Sequence, residues 1–244
     1  MRSNILSKLF RWQPSREILI PTIAGFIVLG LSALMIPTRE TPRINILIRD
    51  IGLILLMGIF FPLLYIQRSG RPFSQFGLTL KRWYLVFPIN FVLGTLLLLL
   101  FISKNPGVPF RFDGQTLVSI SFIMLAGVFE VIFFYSFQRT LFERAFGIIP
   151  GIILAALFYS FHHLGFQPEF GKLFFVGLMY AITFRIGNNA FMIYPFFWGV
   201  GGCYDVLIHS RKVLPILYPG IRSLYLGVFI ISLLIWVIRS GSRK

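Results

Sequence analysis

The chain has 244 residues, 57% of them hydrophobic and only 13% charged, with 29 Phe and a mean hydropathy of +0.82. A soluble domain of this size needs far more polar surface, so the composition excludes one and leaves a polytopic membrane protein. The net charge of +15 does not point to nucleic acid, because the 23 Lys and Arg sit in short loops between apolar runs and share no folded basic face; anionic lipid and topology account for them.

Residues 1–17 set Arg2, Lys8, Arg11 and Arg16 beside Ile5, Leu6, Leu9, Phe10 and Trp12, the pattern of a short amphipathic helix lying on a membrane surface. The charged stretch is too long, and the following apolar run too full, for a cleaved signal peptide. Apolar runs then predict eight spans, over 18–36, 51–66, 83–102, 117–138, 148–164, 173–186, 190–208 and 224–238, with a basic tail at 240–244. The predicted fold class is therefore all-α: one transmembrane helical bundle over 18–239, without a repeat of fixed period. The lone Cys203 excludes an intrachain disulfide framework. Eight spans place both termini on one side. That side carries 14 basic residues against 9 on the other, so the positive-inside rule puts the termini in the cytoplasm and the bundle in a cell membrane.

Among the eight acidic residues, Glu17, Glu40, Asp50, Asp113, Glu143 and Glu169 fall in predicted loops or at span edges, whereas Glu130 and Asp205 lie well inside spans. Ionisable groups are costly in lipid and mark protein interiors or wet cavities. The stretch 127–163 reads as two apolar helices joined by a short charged turn, RTLFERAFG. Glu130 lies 17 residues before Gly147 and His162 lies 15 after it. At about 1.5 Å per helical residue, an antiparallel hairpin brings both to the same level, about 24 Å from the turn. Asp205 sits midway along the seventh span beside Gly199, Gly201 and Gly202, small residues that admit a neighbouring helix. Three helices thus carry one ionisable group each to comparable depth.

Two readings follow, a buried polar cluster that ties the bundle together and a wet intramembrane site. In the second, a desolvated carboxylate is suited to take a proton from water. An imidazole orients that water, and a donor on a third helix stabilises a developing oxyanion. These are the parts of a hydrolase for amide bonds. Ligand spacing gives a divalent metal cofactor less support, and leaves it open. His162 and His163 diverge by about 100° if both are helical, and no His-Glu-x-x-His run occurs. The third histidine, His209, falls at a span end and reads as interfacial.

Over roughly residues 70–210 the chain resembles the CAAX protease and bacteriocin-processing (CPBP) family of intramembrane proteases, related to the type II CAAX prenyl endopeptidases. Members carry Glu-Glu-x-x-x-Arg, Phe-x-x-x-His and His-x-x-x-Asn/Asp on successive core helices. Here Glu130 matches the first glutamate, while Val131 and Tyr135 replace the second glutamate and the arginine. Phe158 and His162 complete the second motif; in the third, Gly201 stands for the histidine and Asp205 matches the Asn/Asp position. The stretches FGLTLKRW and FFVGLMYAITFRIGNN are also similar. The resemblance implies an endopeptidase acting on a membrane-anchored or lipidated peptide, with Glu130 as general base, His162 as its partner on water and Asp205 at the oxyanion position. There an aspartate donates a hydrogen bond only while protonated. Tyr135 offers a phenolic donor or simply packs against the next helix. The half-kept motif set also implies an alternative, a catalytically degenerate relative with a binding or immunity-type role.

Overall fold

The computed structural model describes residues 3–107, 113–163, 168–190, 193–209 and 216–241. Among these the regular elements are helices: α1 (Ser3–Leu9), α2 (Leu19–Leu34), α3 (Pro42–Arg68), α4 (Trp83–Ser103), α5 (Gly114–Phe146), α6 (Ile148–His162), α7 (Phe170–Gly187), α8 (Tyr194–Phe197 running on into Trp198–His209) and α9 (Pro219–Gly241). The protein is an all-α polytopic membrane bundle. The eight apolar runs correspond to α2 through α9, and six of these helices are long and apolar enough to cross a membrane. At 15 residues, α6 is about 22 Å long, short of a hydrocarbon core of about 30 Å. The end of the fifth predicted span at Leu164, the tail beyond Gly241 and the side chain of His209 lie outside the described residues.

Packing divides the chain into two compact units, residues 1–78 with 129–190, and residues 79–128 with 191–244. In the first, α2, α3, α6 and α7 surround the second half of α5, whose residues 131–138 are all buried. Phe133, Phe134 and Phe137 interlock edge-to-face or tilted, at centroid distances of 5.1 and 5.8 Å. Between helices, Phe137 meets Phe61 of α3 edge-to-face at 5.7 Å and Phe134 meets Tyr159 of α6 at 5.9 Å, a geometry that suits the ring quadrupole. In the second unit, α4 and α8 meet at backbone contact. A Cβ on Gly199 would collide with the backbone of Gly94, so only glycine permits that crossing. The small residues of the seventh span therefore do admit a neighbour. Gly201, in contrast, lies against the Phe197 ring of its own helix.

Three boundaries differ from the sequence reading. First, α1 stops at Leu9. The chain beyond it donates Arg11 N–H to Phe146 O (2.9 Å) and Gln13 N–H to Ala145 O (2.8 Å), which satisfies carbonyls that α5 leaves open at its end. Second, α3 begins at Pro42, nine residues before the predicted Ile51, because Thr41–Pro42 is a helix start and not loop. Asp50 is consequently fully buried inside α3 rather than at its edge.

Third, RTLFERAF is helical and continues α5, so the turn shrinks to Gly147. That residue has φ 94° and ψ 174°, with Leu9 O only 2.6 Å from where a Cβ would sit. The charged segment can stay helical because its charges pair. Arg139, 2% exposed, forms an ion pair with Glu143, and Arg185 Nε donates to the other Glu143 oxygen at 2.9 Å. Arg139 also donates to Tyr135 O (2.8 Å) and lies over the Phe184 ring at 4.9 Å. Glu17 is likewise half-buried and paired, with Arg71 and Tyr65 as its donors. That carboxylate holds the Arg71 guanidinium above its ordinary range.

Candidate functional site

Glu130 stands where α5 passes from ordinary α geometry into a wider π-helical stretch, Val131–Gln138. Such stretches shift the side chains that follow and recur at functional sites. Its carboxylate is 9% exposed. Across the hairpin, His162 ends α6 and places Nε2 3.5 Å from Glu130 Oε1, consistent with nearly equal arms about Gly147. The His162 ring is fixed by aromatic neighbours, with Phe129 edge-on at 5.2 Å and Phe134 at 5.3 Å.

His163 joins the same cluster. The sequence expectation that it diverges from His162 fails: His163, the first residue past α6, turns its ring toward its neighbour, with centroids 4.3 Å apart. His163 Nε2 lies 3.8 Å from Glu130 Oε1. A signal existed, since Gly165 and Pro168 follow the histidine pair and end helices.

Hydrogen bonds define both imidazoles. His163 Nδ1 meets Tyr159 O at 2.9 Å, and a carbonyl only accepts, so Nδ1 carries the proton. Ser32, on α2, donates its hydroxyl hydrogen to Val28 O at 2.9 Å. With that hydrogen on Val28 O, its oxygen, 3.1 Å from His162 Nδ1, accepts from the Nδ1–H tautomer of His162. In these tautomers Nε2 is the ring nitrogen that faces Glu130. Glu130 Oε2 and His162 Nε2 are buried without a hydrogen-bond partner. Arg49, within α3, adds a positive charge felt at Glu130 and His162. Ser32 escapes the sequence reading because nothing in an apolar run says which polar residue faces inward, and Arg49 because it precedes the predicted second span.

The other predicted residues have different places. Phe158 packs between helices, against Phe26 (5.7 Å) and stacked on Phe142 (5.8 Å), and sets the position of α6. Tyr135 is fully buried against the rings of Tyr159 and Tyr180, each at 5.7 Å, and its hydroxyl makes no hydrogen bond. Asp205 and Gly201 belong to the second unit, whereas the cluster of Glu130, His162 and His163 is built wholly within the first. Comparison with family models, curated proteins and solved structures finds no match to this chain.

Proposed function

We propose that this protein is an intramembrane endopeptidase of the CPBP type, cleaving a peptide bond in a membrane-associated or lipidated substrate. The observation that carries the proposal is the meeting of a buried carboxylate and an imidazole lone pair inside apolar helices, at the positions where the family resemblance calls for a base and its partner. A water between Glu130 Oε2 and His162 Nε2 donates one hydrogen to each. Glu130 takes a proton as the water oxygen attacks the scissile carbonyl carbon, then passes it to the departing amine. We place the bundle in a cell membrane with both termini in the cytoplasm, on the strength of the 14-to-9 division of basic residues.

One observation favours the alternative of a degenerate relative with a binding or immunity-type role. Val131 and Tyr135, at the positions of the motif's second glutamate and arginine, are 2% and 0% exposed, and Tyr135 is packed against the rings of Tyr159 and Tyr180. The test is cleavage of a panel of lipidated peptides by protein reconstituted in vesicles, followed by mass spectrometry. The protease reading requires specific products from wild type and none from Glu130→Gln at equal expression. Equal cleavage by both removes Glu130 from the base role. Cleavage by neither, with both folded, supports the degenerate reading.

A further inference from the structure

We infer that the open groove between the N-terminal segment and α6 is a binding site for one anionic phospholipid. Its volume is about 780 Å³, within the range of about 300–1,000 Å³ common among ligand sites. The groove belongs wholly to the first unit and lies at the Gly147 end of the α5–α6 hairpin, away from Glu130.

Its lining follows from the local chain. Residues 11–15 continue from α1 without regular structure, and the backbone bonds from Arg11 and Gln13 strap them to the end of α5. Trp12 thereby lies against Phe146, ring centroids 5.1 Å apart, yet stays 79% exposed. From α6, Ile149, Ile153 and Leu154 recur at helical spacing and present one apolar face to the groove. An acyl chain laid there covers aromatic and aliphatic surface that the fold holds open.

Charge selects the headgroup. Arg11 is the charged residue of the lining, and among the described residues its guanidinium makes only a long contact, 3.5 Å to Arg144 O. Lys8, Arg16 and Arg144 are exposed on the same stretches of chain. The carboxylates nearby are already engaged, Glu17 by Arg71 and Tyr65, Glu143 by Arg139 and Arg185. Arg144 is close enough for its charge to be felt at Glu17, but among the described residues neither it nor Lys8, Arg11 or Arg16 forms an ion pair. An apolar groove edged by surplus guanidinium suits an amphiphile with a phosphate head, which arginine binds through two parallel hydrogen bonds. A zwitterionic headgroup brings its own cation and gains less from these arginines. The division of basic residues puts this end of the hairpin at the cytoplasmic leaflet, where anionic lipid is attracted to such segments. The inference does not depend on the hydrolase reading.

The test uses the full chain in detergent, delipidated, titrated with phosphatidylglycerol or phosphatidylcholine and read by native mass spectrometry. Wild type should hold one phosphatidylglycerol per chain and prefer it at least about tenfold, the combined effect of two arginines near an anionic head. Arg11→Gln and Arg144→Gln keep the backbone strap and should each weaken that binding about fivefold at unchanged helicity. Arg43→Gln, at the exposed start of α3, should leave it unchanged. Brominated phosphatidylglycerol should quench the share of fluorescence that Trp12→Phe removes. Equal retention of the two lipids, binding unchanged in both groove variants, or quenching indifferent to Trp12 overturns the inference. An uncharged lipidated peptide that displaces phosphatidylglycerol at equal concentration, or a second copy of the chain seated in the groove, overturns it too.

Discussion

At the scale of single residues, Ser32 decides the chemistry of a histidine on another helix. Its hydroxyl oxygen stands 2.9 Å from Val28 O and 3.1 Å from His162 Nδ1, and with its hydrogen on Val28 it accepts from His162. Removing it in Ser32→Ala frees the ring to turn or change tautomer, and partners of this kind are typically worth about 10–100-fold. We predict a loss of peptidase rate of about tenfold with unchanged helicity by circular dichroism, and recovery in Ser32→Thr. A full rate in the alanine variant would mean that His162 is oriented by packing alone.

The Arg139–Glu143 pair has a different, structural weight. Truncating Glu143 to Ala leaves a buried guanidinium without its carboxylate, which costs about 3 kcal/mol. Replacing both by leucine removes the charge as well as its partner and should restore most of that, because Arg185 is 40% exposed and can turn outward. Thermal unfolding in detergent across the double-mutant cycle measures both. Of this layer, the sequence discloses the register of Glu130 and His162, since that is a count of residues either side of one glycine. It conceals the ion cluster, because a run of mixed charges reads as solvated turn until the partners on α7 are known.

Among elements, the α5–α6 hairpin controls the site. Its only connecting residue, Gly147, has a backbone conformation open to glycine and barely to anything else, and it abuts Leu9. Gly147→Ala should cost about 1–3 kcal/mol from backbone strain alone. It should also loosen the N-terminal segment, which protease accessibility near Arg11 would report. An unchanged melting temperature would show that the hairpin does not rely on this conformation. The eight apolar runs were readable because helices in lipid must be long and apolar. Their starts were less so: α3 reaches back to Pro42 through Arg49 and Asp50, charges that hydropathy excludes although a Thr-Pro pair marks the true beginning.

For the whole molecule, the division of basic residues predicts both termini in the cytoplasm. A reporter that fluoresces only in the cytoplasm, fused in turn to each terminus, should be bright in both positions. One bright and one dark fusion would require an odd number of crossings, and so would show that α6 or α8 does not traverse the membrane. Burying several charges in so apolar a chain costs stability, and the first unit meets this in two ways. It pairs Arg139 with Glu143, and it leaves Glu130 facing two imidazole lone pairs. Only the second arrangement keeps unsatisfied polar atoms, which is why the chemistry is assigned there.

The most direct measurement is nitrogen-15 NMR of histidine-labelled, metal-free protein in lipid at neutral pH. The account predicts that His162 and His163 both carry their proton on Nδ1 and turn an unprotonated Nε2 toward Glu130. A proton on Nε2 of either ring would contradict it.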